Sequence, residues 1–256
     1  MSEEIVTSFD DGVRTIRINR PDKKNALTVA MYEDLVAAFK EAEADKATRC
    51  IVVTGEGDMF TAGNDLMDFM NAPAAGENSA VFQFLLTIAA METPIIGAVN
   101  GHGIGIGCTM LLHCDLNYAV EGATLKMPFV PLGLCPEGAS SFLLPRMAGM
   151  QKAAELLMFG ESVPVEEMER IGVINKVLPK DEFAAYVVER AKKLAALPAR
   201  SLRTTKRLLR AEVKETVSRV LTNEGGEFVQ LLPSDEAREA FTAFFEKRKP
   251  DFKQFD

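Results

Sequence analysis

The chain has 256 residues, of which 47% are hydrophobic and 26% charged, and its formal net charge is −8. This composition is typical of a globular protein and excludes disordered and fibrous classes. The acidic balance provides no bulk positive field for a polyanion, so we predict no nucleic-acid partner. No uninterrupted apolar run reaches the roughly 18 residues that span a bilayer, and the first residues lack the order of a secretion signal. We therefore predict a cytoplasmic protein without a membrane partner.

The four cysteines, Cys50, Cys108, Cys114 and Cys135, form no C-x-x-C pair. Their density is far below that of a disulfide scaffold, so we predict reduced and mostly buried thiols. The chain has two histidines, and neither lies at metal-binding spacing from other ligand types. We therefore predict no metal site.

The first two thirds of the chain alternate short β-branched segments with helical patterns. Strands are predicted at Val13–Ile18, residues 50–54, residues 94–99, Leu116–Val120, residues 123–127 and residues 173–178. Thr28 is predicted to cap a helix that runs to about residue 45, because apolar residues recur after it at helical spacing. Further helices are predicted at residues 137–147, 151–159 and 165–171. This alternation with short connections predicts an α/β fold with largely buried sheets.

Two later features of the sequence concern its organisation. Residues 71–78 are rich in Ala, Gly, Pro and Asn, which predicts a mobile surface loop. After about residue 182 the pattern is helical, so we divide the chain into a core of residues 1–195 and a C-terminal helical region of residues 196–256. An apolar stripe over residues 198–221 and an aromatic-rich segment at 237–245 dominate this region. Two interpretations stay open for these helices: they form subunit contacts, or they pack only on their own core.

Two glycine-containing loops follow predicted buried strands. They are the segment FTAGNDL at residues 60–66 and the segment GHGIGIG at residues 101–107. The second lacks the G-x-G-x-x-G spacing of a dinucleotide site, so we predict no NAD site. Close packing of helix on sheet explains some of these glycines. Backbone N–H groups exposed at both loops and aimed at one point would form an oxyanion hole.

A third segment, residues 127–141, contains three prolines, two glycines and one carboxylate, Glu137. Its apolar sequence neighbours predict desolvation, which raises the pKa of a carboxyl group toward the range of a general base. The alternative interpretation is an ordinary glutamate in the first turn of a helix after Pro136.

Together, these segments resemble the crotonase, or enoyl-CoA hydratase/isomerase, superfamily over essentially the whole chain. The resemblance rests on RP at residues 20–21, NAL at 25–27, FTAGNDL at 60–66, NG at 100–101, HCD at 113–115 and GVINKV at 172–177. It implies a crotonase-type spiral of strand-strand-helix repeats and a C-terminal helical oligomerisation region that forms a homotrimer or a dimer of trimers. It also implies an acyl-CoA thioester substrate, with coenzyme A as part of the substrate and no other cofactor.

The resemblance also implies roles for particular residues. The backbone N–H groups of Asn64 and Ile106 match those that hold the thioester oxygen in this family. The residues that match CoA-binding positions are Lys23, Lys24, Ala26, Ala62, Asp65 and Leu66. For either lysine, the alternative is a solvated surface position without ligand contact.

The expected reaction follows from two departures from the commonest pattern of this family. Family hydratases activate water with two glutamates, and this chain has Thr109 and Phe129 at those positions. The segment PEGASS at residues 136–141 instead resembles the Δ3-Δ2-enoyl-CoA isomerase branch, in which one glutamate, here Glu137, is the acid and base. The resemblance therefore implies conversion of 3-enoyl-CoA to 2-trans-enoyl-CoA by a single-glutamate proton shuttle. Another crotonase reaction, such as hydration or acyl-CoA hydrolysis, and a non-catalytic acyl-CoA-binding interaction protein are the alternatives.

Overall fold

Ten strands and eleven α-helices are assigned in this computed structural model, which describes residues 3–71 and 79–255. The strands are β1 (Ile5–Asp10), β2 (Val13–Ile18), β3 (Cys50–Gly55), β4 (Met59–Thr61), β5 (Ile95–Val99), β6 (His102–Ile104), β7 (Leu116–Val120), β8 (Thr124–Lys126), β9 (Ser162–Pro164) and β10 (Lys176–Leu178). The helices are α1 (Val29–Ala44), α2 (Leu66–Asn71), α3 (Ala80–Ala90), α4 (Ile106–Thr109), α5 (Ser140–Ala148), α6 (Met150–Phe159), α7 (Val165–Arg170), α8 (Lys180–Ala195), α9 (Ala199–Arg210), α10 (Lys214–Leu231) and α11 (Asp235–Phe245). A 3-10 helix at Met110–His113 continues α4.

The strands form two sheets, and from β3 to β8 successive strands alternate between them. The larger sheet has the order β1-β2-β3-β5-β7-β10, and the smaller has the order β4-β6-β8-β9. Neighbouring strands are parallel except for the pairs β1–β2 and β8–β9. The pairs β3–β4, β5–β6 and β7–β8 each give one strand to the larger sheet and the next strand to the smaller. The predicted α/β fold with strand-strand-helix repeats is therefore confirmed.

The buried core follows from the patterns that predicted it. Every residue of β3 and β5 is buried, as expected for strands covered on both faces. The Thr28 hydroxyl accepts a hydrogen bond from the Met31 backbone N–H at 3.3 Å, so Thr28 caps α1 as predicted. The apolar face of α1, which includes Leu35 and Phe39, belongs to the same core cluster. All four thiols are free, three are buried and Cys135 is partly buried, as predicted.

Four strands, β1, β4, β6 and β9, were not predicted from the sequence. Three of them have only three residues each, which is too short for an alternating pattern to be recognised. β1 lies at the edge of the larger sheet with most of its residues exposed or partly exposed, so it has no run of buried positions. The strand predicted at residues 173–178 forms only at its end, as β10.

Two helix predictions need correction, and one predicted loop lies outside the structure. The helix predicted from residue 137 begins at Ser140, because Gly138 and Ala139 have φ angles of 70° and 56°. The stripe at residues 198–221 is divided between α9 and α10 by a turn in which the Val213 N–H donates to the Arg210 carbonyl oxygen. Asn71 ends α2, and the rest of the loop predicted at 71–78 lies outside the described residues.

The C-terminal helices pack on the core of their own chain. Val217 of α10 and Phe241 of α11 belong to the buried cluster, whereas Leu208, Leu209 and Phe244 are 68%, 78% and 59% exposed. Packing on the same core thus accounts for part of the apolar surface, and the subunit contacts stay a prediction. The division of the chain at residue 195 also stays a prediction, although α8 ends there. Within the described residues, no helix is long and apolar enough to cross a membrane.

Candidate active site

A cavity of about 470 Å³ is lined by both the spiral core and the C-terminal helices α10 and α11. Most of its wall is apolar and includes Phe82, Phe129, Phe228 and Phe241. The polar side chains on the wall are those of Lys24, Asn64, Ser79, Lys126 and Glu137. A mostly apolar cavity with a few convergent polar groups is typical of a site for a small molecule.

Glu137 is the one acidic residue among the described residues that line the cavity. The Thr109 hydroxyl donates a hydrogen bond to Glu137 Oε1, whereas Glu137 Oε2 is buried and has no hydrogen-bond partner within the described residues. Burial raises the pKa of Glu137 from 4.5 to about 8, the Thr109 hydrogen bond lowers it, and the nearby Glu224 carboxylate raises it. Glu137 thus lies in the desolvated environment that its sequence neighbours predict, in a loop before α5 rather than in a helical turn.

Asn64 and Ile106 follow neighbouring parallel strands of the smaller sheet. Asn64 lies just after β4, Ile106 begins α4 after β6, and both residues line the cavity. The two loops approach closely, since a Cβ at Gly63 would lie 2.8 Å from the Ile104 carbonyl oxygen. No hydrogen bond found within the described residues uses the backbone N–H of Asn64 or Ile106. These two N–H groups are therefore available to bind a ligand oxygen.

Tyr32 of α1 fixes the Asn64 side chain, and the sequence patterns gave no indication of this role. The Tyr32 hydroxyl donates a hydrogen bond to Asn64 Oδ1, and Tyr32 is fully buried. Burial, and to a smaller extent the Glu137 carboxylate, raises the pKa of Tyr32 well above its usual value, so the hydroxyl keeps its proton. The helical spacing was recognised from apolar residues, and such a pattern does not indicate a contact made by a tyrosine hydroxyl.

Three of the six predicted CoA-contacting residues, Lys24, Ala62 and Leu66, line the cavity. The Ala62 backbone N–H donates to the Lys24 carbonyl oxygen at 3.0 Å, which joins the loop after β2 to the loop after β4. Lys126 of β8 also lines the cavity and was not predicted as a ligand residue. The strand at residues 123–127 was predicted, but no local pattern in it indicates that Lys126 faces a cavity.

The other three predicted residues, Lys23, Ala26 and Asp65, do not line the cavity. Lys23 is exposed, and the Ala26 carbonyl oxygen accepts a hydrogen bond from the Arg20 guanidinium at 3.0 Å. Asp65 forms an ion pair with Arg20 at 2.8 Å and accepts hydrogen bonds from N–H groups at the start of α2. These contacts give Ala26 and Asp65 a structural function in this loop, and CoA contact by the three residues stays a prediction.

The two positions at which family hydratases have glutamates are occupied as the sequence indicates. Thr109 is fully buried behind the cavity wall and holds Glu137. Phe129 is buried and forms part of the apolar wall. Glu121 and Glu161, which could supply a second carboxylate only from outside the family's positions, do not line the cavity.

The sequence comparison decides the family. Residues 8–255 match the family described as enoyl-CoA hydratase/isomerase. The chain belongs to the enoyl-CoA hydratase/isomerase family. A solved structure of a family member, an enoyl-CoA hydratase/isomerase from Pseudoalteromonas atlantica T6c, has a TM-score of 0.93 and 40% sequence identity, covering 98% of this chain and 100% of that chain. This agreement confirms the predicted crotonase fold.

Relatives with different reactions are similar to this chain. It is 36% identical to enoyl-CoA delta isomerase 2 of Rattus norvegicus over 97% of its own length, and it spans 65% of the length of that relative. It is 31% identical to 2,3-dehydroadipyl-CoA hydratase of Escherichia coli (strain K12), covering 98% of both chains. Because both isomerases and hydratases occur among these relatives, membership of the enoyl-CoA hydratase/isomerase family does not fix the reaction.

Proposed function

We propose that this protein converts 3-enoyl-CoA to 2-trans-enoyl-CoA, with Glu137 as its only acid/base group. The main support is that no other acidic residue among the described residues lines the cavity. Moving a double bond by one position needs one group that removes a proton and returns it. Water addition in this family uses two glutamates, and Thr109 and Phe129 supply no carboxylate here.

In the proposed reaction, the Glu137 carboxylate removes a proton from C2 of the 3-enoyl thioester. The electron pair of the broken C–H bond forms a dienolate, whose negative charge lies largely on the thioester oxygen. Protonated Glu137 then returns the proton to C4, which leaves the double bond between C2 and C3. Glu137 Oε2 is suited to this exchange because no group within the described residues is hydrogen-bonded to it. No cofactor is needed beyond the coenzyme A of the substrate.

The backbone N–H groups of Asn64 and Ile106 are the proposed donors to the dienolate oxygen. Both residues line the same cavity as Glu137, and no hydrogen bond found within the described residues occupies either N–H. Each donor of such an oxyanion hole is worth about 3 to 4 kcal/mol of transition-state stabilisation. The Tyr32 contact with the Asn64 side chain supports this role, since it restricts the orientation of that residue.

Substrate binding is proposed to involve the phosphate groups of coenzyme A and the two lysines of the cavity, Lys24 and Lys126. Positive side chains at these positions offset the unfavourable net charge of −8 for an anionic ligand. The apolar wall, which includes Phe82 and Phe228, is the proposed surface for the acyl chain. We further propose a cytoplasmic homotrimer or dimer of trimers, as the family resemblance implies.

Hydration of 2-enoyl-CoA is the second candidate function, because the E. coli relative is a hydratase by name. A hydratase of this type would require a second carboxylate beside the acyl chain. Glu121 and Glu161 lie outside the cavity lining, which favours the isomerase.

The test is an ultraviolet assay of purified protein with 3-enoyl-CoA and with 2-enoyl-CoA of the same chain length. Wild type, Glu137→Gln and the exposed control Glu161→Gln are compared. We expect wild type and Glu161→Gln to form the conjugated 2-enoyl thioester, and we expect Glu137→Gln to lose this activity by at least about a hundredfold.

Three outcomes would contradict the proposal. Full isomerase activity in Glu137→Gln would exclude Glu137 as the base. Rapid consumption of 2-enoyl-CoA by water addition without isomerisation would favour the hydratase. Binding of CoA thioesters without either reaction would indicate another acyl-CoA reaction or a binding function.

A further inference from the structure

The turn that follows Glu137 has an unusual backbone that other elements hold in place. Gly138 and Ala139 both have positive φ angles, 70° and 56°. Alanine rarely adopts this conformation because its Cβ approaches the backbone too closely, so the surrounding contacts must maintain it. His113 Nε2–H donates a hydrogen bond to the Gly138 carbonyl oxygen at 2.8 Å. The Gly138 Cα also packs on Thr109, since a Cβ there would lie 2.7 Å from Thr109 Cβ.

The largest set of contacts to this turn comes from Glu224 of α10. Its carboxylate accepts hydrogen bonds from the backbone N–H groups of Ala139, at 2.6 Å, and Ser141, at 2.9 Å. The Ser141 hydroxyl donates a third hydrogen bond to the same carboxylate. Backbone N–H groups that converge at a left-handed turn form a concavity that binds anions. Glu224 is 8% exposed, so the turn supplies the donors that a buried carboxylate requires.

We propose that Glu224 is a positioning residue for proton transfer by Glu137. Glu224 does not line the cavity, so it would act through the turn and not by touching the substrate. Its hydrogen bonds fix the backbone of residues 139 and 141, and this fixes where the preceding Glu137 carboxyl group lies. The C-terminal helical region thereby contributes to the geometry of the base. This inference rests on the proposed role of Glu137.

Glu224 also affects Glu137 through its charge. After burial, the Glu224 carboxylate is the group that raises the pKa of Glu137. Burial also raises the pKa of Glu224 itself, and the three hydrogen bonds that its carboxylate accepts oppose that rise. The other titratable groups around this turn are Tyr32, Cys108, Cys135 and His113, with Lys206 and Arg210 paired to Asp115 behind His113. Burial keeps the first four uncharged near pH 7, because it raises the pKa of the hydroxyl and thiols and lowers that of the imidazole to about 4. Removal of the Glu224 charge should therefore lower the pKa of Glu137.

A purely structural function for Glu224 makes a different prediction. Glu224 accepts from N–H groups at the start of α5, which has no cap from its own N-cap side chain. If helix capping were its only function, substitution would reduce stability and leave the pH dependence of the folded enzyme unchanged. The pH profile therefore separates positioning of the base from capping.

The experiment compares wild type with Glu224→Gln, Glu224→Ala and the matched control Glu227→Gln, an exposed glutamate on the same helix. Values of kcat and KM for 3-enoyl-CoA are measured across pH. For Glu224→Ala we expect kcat to fall about 10- to 100-fold, with KM within about twofold of wild type, because a small misplacement of the base affects the reaction more than binding. For Glu224→Gln we expect a lower plateau, and we expect the increase of kcat/KM to occur at lower pH than in wild type, because the charge that raises the pKa of Glu137 is removed. Glu227→Gln should match wild type.

A Glu224→Gln profile that superimposes on the wild-type profile would overturn this inference. If Glu224→Ala does not fold, as judged by circular dichroism, the isosteric Gln variant decides. An inactive wild type would instead contradict the proposed function, and a readout without activity then applies. In that case we expect Glu137→Gln to increase stability at high pH less in the Glu224→Gln background than in wild type. Equal increases in both backgrounds would refute the coupling.

Discussion

The substitution Glu137→Gln should stabilise the protein at high pH while it removes the proposed activity. In the folded state, Glu137 Oε2 is buried without a hydrogen-bond partner, and burial raises the pKa of the carboxyl group to about 8. Ionisation of Glu137 is therefore unfavourable in the folded protein. Glutamine has nearly the same shape as a protonated glutamate and does not ionise, so the variant avoids this cost.

The sign and size of the effect follow from proton linkage. Below the ordinary pKa of 4.5, both the folded and unfolded wild type bind the proton, and Glu137 ionisation has no effect on stability. Between 4.5 and about 8 the unfolded state loses the proton and the folded state keeps it. Each pH unit in this interval lowers the free energy of unfolding of wild type by about 1.4 kcal/mol. The advantage of Glu137→Gln should thus grow with pH and level off above about pH 8, at about 5 kcal/mol.

The assay is urea unfolding of wild type and Glu137→Gln at a series of pH values, at matched protein concentration because assembly also affects stability. The quantity of interest is the difference between the two free energies of unfolding, since groups common to both proteins cancel in it. The exposed variant Glu161→Gln serves as the control and should show a nearly constant difference from wild type. A difference for Glu137→Gln that does not change with pH would refute the assignment of a desolvated carboxyl group.

Three further substitutions test the neighbours of the base. Thr109→Val removes a hydrogen bond that lowers the pKa of Glu137. A pH–rate profile should therefore show the increase in kcat/KM at higher pH than in wild type, with kcat/KM about tenfold lower at pH 7. An unshifted profile would contradict this expectation. Tyr32→Phe removes the donor to Asn64, and steady-state kinetics should show kcat reduced about five- to tenfold with little change in KM, whereas a change in KM alone would exclude the role. Lys24→Ala should raise KM several-fold, by roughly 1 kcal/mol, for CoA thioesters but not for pantetheine thioesters, with the exposed Lys46→Ala as the unaffected control; equal effects of both substitutions would argue against phosphate contact.

The parts of the fold that could be predicted are those specified by local patterns. The capped, amphipathic helix α1 and the fully buried strands β3 and β5 each have a signal that extends over several consecutive residues. The strands β4 and β6 have three residues each and are stabilised by pairing with each other rather than by a local pattern. They were therefore missed, although the glycine loops that follow or overlap them were recognised.

Site residues whose role depends on one sequence segment were predicted. Residues whose role depends on a contact between distant segments were not. Glu137, Asn64 and Ile106 were identified through motifs, and the structure brings all three to one cavity. Glu224 could not be found in this way, since its contact with Ala139 joins residues 85 positions apart. The helical pattern of α10 marks Glu224 only as one polar position in an amphipathic segment. Glu224 is buried because α10 packs beside α5 in the folded chain, a contact that no local sequence pattern shows.

The cavity has one carboxylate, Glu137, among its described lining residues, and Thr109 occupies a position at which family hydratases have a glutamate. A glutamate at position 109 could hold a water molecule together with Glu137, because both would accept its protons. Thr109 instead donates to Glu137 Oε1, and Oε2 is left without a partner. A base with one occupied and one unpaired oxygen is suited to receive a single proton from carbon. Glu224 supplies a second carboxylate behind the cavity wall, where its charge raises the proton affinity of Glu137. In the proposed reaction, Glu224 would strengthen Glu137 as a base without offering a binding partner for water in the cavity, which supports the proposal of proton transfer rather than hydration.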